Sequence, residues 1–286
     1  MPIDRDFLLG WKMDPVEESY TDRETMFYAL SLGLGADPLD AGQLRYVYEK
    51  DLAAFPTMPV VLCLPQGWAV DPRAGLNYRM MLHGEQGLVV HRPLPPAGRV
   101  RGVTRVAEVI DKGHDKGALL YLEREITDAA DGTHYATVKG TVFARADGGF
   151  GGSSGPVRPV HPIPEGEPDA VLEMPTSPQA ALLYRLNGDR NPIHADPEAA
   201  RGAKFPRPIL HGMCTYGIAA HAILRRFCDY DAAALRELDV RFSAPTFPGE
   251  TVTFAFWKRG NVVSFRARVQ ERDATVLDNG RAVLAG

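Results

Sequence analysis

Residues 184–196 read Y-R-L-N-G-D-R-N-P-I-H-A-D, from Tyr184 to Asp196. Ahead of them a helix-like run from Pro178 carries Leu182, Leu183 and Leu186 on one face. It stops at Gly188, the residue type best able to take the left-handed conformation that closes a helix. Asp189, Asn191 and His194 follow at once, in a segment that Pro192 drives out of helical geometry, because the residue before a proline is pushed toward extended backbone. An acid, an amide and an imidazole on one rigid turn can converge on a small molecule such as water. Taken alone, Asx residues beside Gly and Pro are ordinary turn formers, so the weight of the reading falls on the rest of the chain.

The chain has 286 residues, room for two domains of ordinary size. Hydrophobic residues make up 45% and charged residues 24%, the mixture of a soluble globular protein rather than a disordered or fibrous one. A net charge of −4 offers no general attraction to nucleic acid or to an anionic membrane, so an anionic ligand has to be held by local Lys or Arg. No apolar stretch reaches the length of a membrane span, and Met1 to Asp6 carries two acids where a secretory leader needs a basic and then an apolar region. The ending Val283-Leu284-Ala285-Gly286 is not a peroxisomal address. A cytoplasmic protein is expected. Cys63, Cys214 and Cys228 lack metal-ligand spacing and read as buried apolar fillers in a reducing compartment.

The clearest internal boundary is the stretch 147–168, where D-G-G-F-G-G-S-S-G passes into V-R-P-V-H-P-I-P-E-G-E-P. Glycine and serine supply flexibility and the prolines extension, so it reads as a linker between units 1–146 and 169–286. The cut lies near the middle and invites a search for a repeat. Phe27 to Gly33 can be laid over Leu183 to Asp189, and Leu88 to Gly98 echoes Leu238 to Gly249, each a strand, a proline-rich corner and a glycine. Where the second copy has Asp189, Asn191 and His194, the first runs Gly33-Leu34-Gly35-Ala36-Asp37-Pro38. The first unit therefore keeps an architecture without the acid and the base.

Within the first unit, Thr21 to Leu34 reads as a short helix, Gln43 to Lys50 as a strand with Tyr46 and Tyr48 on one face, and Val60 to Leu64 as a buried run open to either assignment. Leu82-His83-Gly84-Glu85-Gln86 and Asp111-Lys112-Gly113 read as loops. Ala118 to Asp128 and His134 to Ala144 form a β-meander by their alternation. In the second unit Asp196-Pro197 starts a short helix and a longer one runs from about Gly212 to Phe227, kept slim by Gly212, Gly217 and Ala219. Strands follow at Leu235 to Ser243, Glu250 to Lys258, Val262 to Gln270 and Thr275 to Leu284.

The full string at 184–196 resembles the signature of the R-specific enoyl-CoA hydratases, the MaoC-like dehydratases, a family that includes the hydratase domain of the peroxisomal multifunctional enzyme type 2. One departure is Asn187, where that family has a small residue. The resemblance implies an α+β fold, a double hot-dog of two repeats, each an antiparallel sheet wrapped around a long central helix. It also implies a reaction, the reversible hydration of a trans-2-enoyl-CoA, with an acyl-CoA substrate, no metal or redox cofactor, and a homodimer. Carried over by position, Asp189 and His194 share and deprotonate one water, Asn191 orients it, and the N–H of Gly212 holds the thioester oxygen. The segment L-H-G-E-Q, the turn D-K-G and the motif itself supply His83, Gly84, Lys112, Arg190, Pro192 and Ile193 as substrate-binding positions, and Phe242 joins them. His211 and His221 read as structural. Two other readings stay open on the sequence, a hot-dog acyl-CoA thioesterase and a non-catalytic acyl-CoA-binding subunit.

Overall fold

The computed structural model describes residues 2–152 and 155–286. Ser153 and Ser154, within the glycine-serine stretch read as flexible, lie outside the described residues, as does Met1. The first half contains α1 (Arg5–Gly10), β1 (Val16–Tyr20), α2 (Asp22–Ser31), α3 (Ala41–Leu44) and then β2 (Met81–Val90), β3 (Gly98–Asp111), β4 (Ala118–Asp128) and β5 (His134–Ala144). The second contains β6 (Ala170–Pro175), α4 (Ala180–Tyr184), α5 (Pro197–Gly202), α6 (Gly212–Phe227), β7 (Leu235–Phe242), β8 (Thr251–Arg259), β9 (Val262–Val269) and β10 (Ala274–Leu284).

All ten strands form one antiparallel sheet in the order β1-β3-β4-β5-β2-β7-β10-β9-β8-β6. Read from the β2·β7 seam outward, each side repeats the same chain order, which is what a pseudo-twofold axis through the seam produces. The axis passes where equivalent residues face one another: Leu88 and Leu238, matched as repeat positions in the sequence, are paired partners. The double hot-dog is thus joined edge to edge, and neither half leaves its inner edge open.

Local chemistry explains the helices. Thr21 caps α2 in a capping box with Glu24, so the helix starts one residue later than the sequence suggested. In the second half α6 lies in the concavity of the sheet. Cys214 through Leu224 are buried, and the Tyr216 hydroxyl donates to the carbonyl of Leu238 at 2.9 Å. Gly217 is needed there, since a Cβ at that position would run into the Leu32 methyls of the first half.

Several expectations require correction. Gln43 to Lys50 is no strand: α3 ends at Leu44 and the chain turns through 45–50, with Tyr46 fully buried and Tyr48 exposed. The Tyr46 hydroxyl donates to the Tyr230 carbonyl at 2.6 Å, so a long-range hydrogen bond overrides the β propensity of its neighbours. Leu82 to Gln86 is not a loop but the start of β2, bulged between His83 and Glu85. The face carrying Leu182 and Leu186 looks outward, and Ala180, Ala181 and Tyr184 pack inward instead. Among the described residues only the second half has a long central helix, α6. Between α2 and β2 the first half has α3 and short 3-10 turns, among them Met58–Val61, which accounts for part of the run left open between strand and helix. The concavity of β2, β4 and β5 is therefore only partly filled.

The segment 147–168 does not hang free where it is described. Asp111, buried at the end of β3, accepts from the N–H groups of Gly113 (2.8 Å), Gly149 (2.7 Å) and Gly151 (2.9 Å). Burial pushes its pKa up, but these N–H groups outweigh it and hold the carboxyl below the ordinary range. Further on, the Arg158 N–H donates to the Tyr121 hydroxyl, His161 meets Ser264 at 2.7 Å, and the Trp257 ring N–H donates to the Gly166 carbonyl. The segment is a strap across the sheet. Asp111→Ala is expected to cost about 1.5–3 kcal/mol in urea unfolding at neutral pH, the range for hydrogen bonds to a charged group. Because the folded pKa lies below the unfolded one, this contribution is present above the carboxylate range and is lost as pH falls through the folded value. The gap between wild type and variant should therefore narrow in acid; a gap that is absent at neutral pH counts against the strap.

Candidate active site

The turn after α4 positions the reactive groups. Gly188 takes φ +115°, as the sequence required, and turns the chain so that Asp189 follows at the surface. Asp189 Oδ1 accepts the Asn191 N–H at 3.0 Å, and Asn191 Oδ1 accepts the Ile193 N–H at 3.2 Å, capping the short turn Pro192–His194. The carbonyl oxygen of the Asn191 amide is thus used by the turn, leaving its NH₂ group for other partners.

His194 is oriented from behind. Its Nδ1 lies 2.9 Å from the Ile209 carbonyl, an acceptor only, so Nδ1 carries the proton and Nε2 the lone pair. That lone pair is 4.0 Å from Asp189 Oδ2. The gap is too wide for a direct hydrogen bond and suits one water bonded to both groups. The two side chains differ in setting, His194 being 8% exposed and Asp189 51%. Burial lowers the His194 pKa below the ordinary histidine value; the Ile209 hydrogen bond and Asp189 oppose this without reversing it, and Arg185 adds to the lowering. At neutral pH His194 is a neutral base.

His211 joins them. Its ring stacks on that of His194, with centroids 3.6 Å apart and planes at 23°, and its Nε2–H donates to the Asp189 carbonyl at 3.1 Å. The sequence reads this residue as structural, and its contacts hold both partners of the pair in place. Donor atoms of Asp189, His194 and His211 lie within 4.8 Å of one another, close enough to raise the question of a metal ion. Ring-nitrogen lone pairs lie in the ring plane, so two nearly parallel stacked rings direct theirs side by side rather than to one point. The arrangement suits proton transfer better than chelation.

A cavity of about 600 Å³ opens beside this turn. Tyr184, Asn187, Gly188, Asp189 and Met213 line its second-half wall, and His83 and Gln86 from β2 begin the other. Gly212 starts α6 next to Met213, with no side-chain cap on the helix, so its N–H belongs to the unpaired first turn. A Cβ at Gly212 would stand 3.2 Å from the Phe242 ring, and Phe242 in turn packs on the edge of His83 with centroids 5.0 Å apart. Of the expected site residues, Asp189 and His83 line this cavity, while His194 stands behind Asp189, Phe242 packs on His83 and Gly212 lies against Phe242.

Other expected binding positions lie further out. Gly84 is at the β2 bulge. Ile193 bonds through its carbonyl to the Ile209 N–H, and Arg190 and Pro192 are exposed on the outer side of the turn. None of these four lines the cavity. Lys112, exposed on the turn after β3, sets its ammonium 5.2 Å from the Phe143 ring centroid and is likewise outside the lining. Sequence reasoning missed Asn187, whose Nδ2 donates to Ser31 Oγ at 2.9 Å and ties the motif to α2 of the first half. Its departure from the family pattern was the available signal.

Residues 19–146 match the family model described as the MFE-2 hydratase 2 N-terminal domain, and residues 159–279 match the MaoC like domain. Enoyl-CoA hydratase ChsH3 of Mycobacterium tuberculosis is 41% identical over 284 residues, covering 98% of both chains. The 3-hydroxyacyl-thioester dehydratase Y of the same organism is 39% identical and covers 95% of both. The crystal structure of a MaoC-like dehydratase from Phytophthora capsici superposes with a TM-score of 0.86 at 35% identity, covering 98% of each chain.

Proposed function

The chain belongs to the MaoC-like dehydratase family, and from that membership and the Asp189–His194 pair we propose that it adds water reversibly to a trans-2-enoyl-CoA, giving a (3R)-3-hydroxyacyl-CoA. The observation that carries the mechanism is the 4.0 Å gap between Asp189 Oδ2 and the lone-pair nitrogen of His194. A water held there loses a proton to the pair as its oxygen attacks C3, and the pair returns a proton to C2 on the same face. The Asn191 NH₂ helps to orient the water. As C2 gains electron density the thioester oxygen becomes an enolate, and the Gly212 N–H at the start of α6 stabilises it. Every step is a proton transfer or a carbon–oxygen bond change, so the reading calls for no metal and no redox cofactor.

The two halves divide the work in this reading. Unit 169–286 supplies the chemistry, and unit 1–146 supplies the wall for the acyl chain without a catalytic motif of its own. Lys112, exposed on the turn between β3 and β4, serves the CoA portion outside the cavity. No described helix is long and apolar enough to cross a membrane. The few cysteines, all free, support a reducing compartment such as the cytoplasm, and some relatives are named as peroxisomal. A homodimer is part of the same proposal, and sedimentation reads it directly.

The test is hydration of crotonyl-CoA, followed by loss of the enoyl thioester absorbance with chiral analysis of the product. Release of free CoA thiol instead would support a thioesterase. The pH profile is a second check. Because the His194 pKa is lowered and the neutral ring is required, kcat/KM should fall on the acid side with a midpoint below about 6.5, the ordinary histidine value. A midpoint at or above that value contradicts the assignment of His194 as the base.

A further inference from the structure

Arg124 sits in the middle of β4, on the concave face between Leu122 and Ile126 of its own strand. Thr104 of β3 and Val138 of β5 stand beside it in register. It is only 7% exposed, a full guanidinium inside an otherwise mainly apolar wall. Its Nη2 donates to the Val60 carbonyl at 2.8 Å, while its Nε is buried and has no partner among the described residues. Glu18, whose charge acts on it, is already engaged by the Cys63 N–H at 2.6 Å and makes no hydrogen bond to Arg124. A guanidinium offers five N–H donors, and a buried one that keeps them unmet loses its hydration for nothing. An apolar residue would close this position at lower cost, as Leu122 and Ile126 do on either side.

What Arg124 faces decides its use. Together with Thr104, Val60, Val61, Leu122 and Val138 it lines the same cavity that Asp189 and His83 open onto. β5 lies between β2, which carries His83, and β4, which carries Arg124. In register His83 stands across from Val142 and then Leu120, four residues from Arg124, so about 10 Å across the strands and about 13 Å along β4 separate the two backbones. That is where the tail of an acyl group bound for hydration runs.

Resting on the hydratase reading above, we propose that the acyl chain of this protein's substrate carries an oxygen acceptor on its tail, held by the Arg124 guanidinium in the floor of the cavity. The required chemistry is an acceptor oxygen, which a carboxylate or a keto group can supply. A carboxylate also neutralises the charge and a keto group only accepts the hydrogen bonds, so the two are separable by experiment.

The experiment measures kcat/KM of the wild type and of Arg124→Met on four substrates: crotonyl-CoA, trans-2-decenoyl-CoA, and chains of that length ending in a carboxylate or a methyl ketone. Expected for the wild type is a preference of tenfold or more for an oxygen-bearing chain over decenoyl-CoA, with the preference lost or inverted in Arg124→Met. A larger gain for the carboxylate identifies ion pairing, and an equal or larger gain for the ketone identifies a neutral acceptor; either supports the proposal. A wild type that favours the plain chain, or a preference unchanged in Arg124→Met, overturns it. Should that variant not fold, Arg124→Lys tests the same point by keeping the charge and discarding the planar fork, and the carboxylate-to-ketone ratio should rise; an unchanged ratio in a folded Arg124→Lys overturns the proposal. Crotonyl-CoA is too short to span the gap. Its hydration by the wild type without any oxygen preference among the longer chains sinks this inference alone, whereas no hydration of any of the four sinks the hydratase reading.

Discussion

Asp189→Asn and His194→Asn are each expected to lower the turnover of enoyl-CoA hydration by about 10² to 10⁴, the range for loss of a general acid or base, and to leave the fold in place. Both replacements are chosen to keep the local scaffold. An asparagine at 189 retains a carbonyl oxygen for the Asn191 N–H, the bond that Asp189 Oδ1 makes at 3.0 Å. An asparagine at 194 places an amide donor where Nδ1–H reaches the Ile209 carbonyl and removes only the Nε2 lone pair. Loss of activity then reports on the proton rather than on the turn. If the two groups share one water, the double variant should be little worse than the poorer single one, because residues acting as a unit are strongly non-additive. Unfolding midpoints within a few degrees of wild type are the control. Near-normal turnover by either variant would remove the pair from the chemistry.

The second large effect is expected at Gly212. Proline at the first position of a helix is tolerated, since that N–H has no partner within the helix. The preceding residue, His211, already has the extended backbone (φ −59°, ψ 134°) that a following proline demands. Gly212→Pro thus deletes the N–H with little strain along the chain and should lower kcat by about 10² to 10³, the loss seen when one oxyanion donor is removed. Gly212→Ala is the companion. It keeps the N–H and asks only that the Phe242 ring yield a few tenths of an ångström to a Cβ standing 3.2 Å away, so its kcat should stay well above that of the proline variant. Equal rates for the two would show that crowding at Phe242, not the N–H, is what matters at this position.

The turn 188–196 was legible because its conformation is decided by its own residues: a left-handed Gly188, a proline, and short polar side chains that cap the helical turns at 192–194 and 197–202. β4 and β5 were legible for a similar reason, since alternation along each strand marks one buried face and their ends fall where it stops. What escaped depends on partners distant in the chain. β3 alternates buried residues with exposed arginines and was not assigned, and the edge strands β1 and β6 are too short to stand out. Tyr46 and its neighbours have strand propensity, yet a hydrogen bond to Tyr230 and burial against Phe55 decide their shape. His211 is a histidine before a glycine in the sequence; only the folded chain brings its ring against His194. Arg124 could have been noticed, as the charged member of the inward series Leu120, Leu122, Arg124 and Ile126.

The seam where Gln86 faces Val240 has a consequence for biosynthesis. Its two strands belong to opposite halves of the polypeptide, so β2 leaves the ribosome long before its neighbour exists. Until β7 arrives, the nascent first half shows a bare row of amide and carbonyl groups, a template for pairing with any other nascent copy. Contacts of such sequence separation also form late, because the intervening chain must be closed before they reward it. Yield in a recombinant host should then depend on translation rate and chaperone supply more than on the stability of the finished protein.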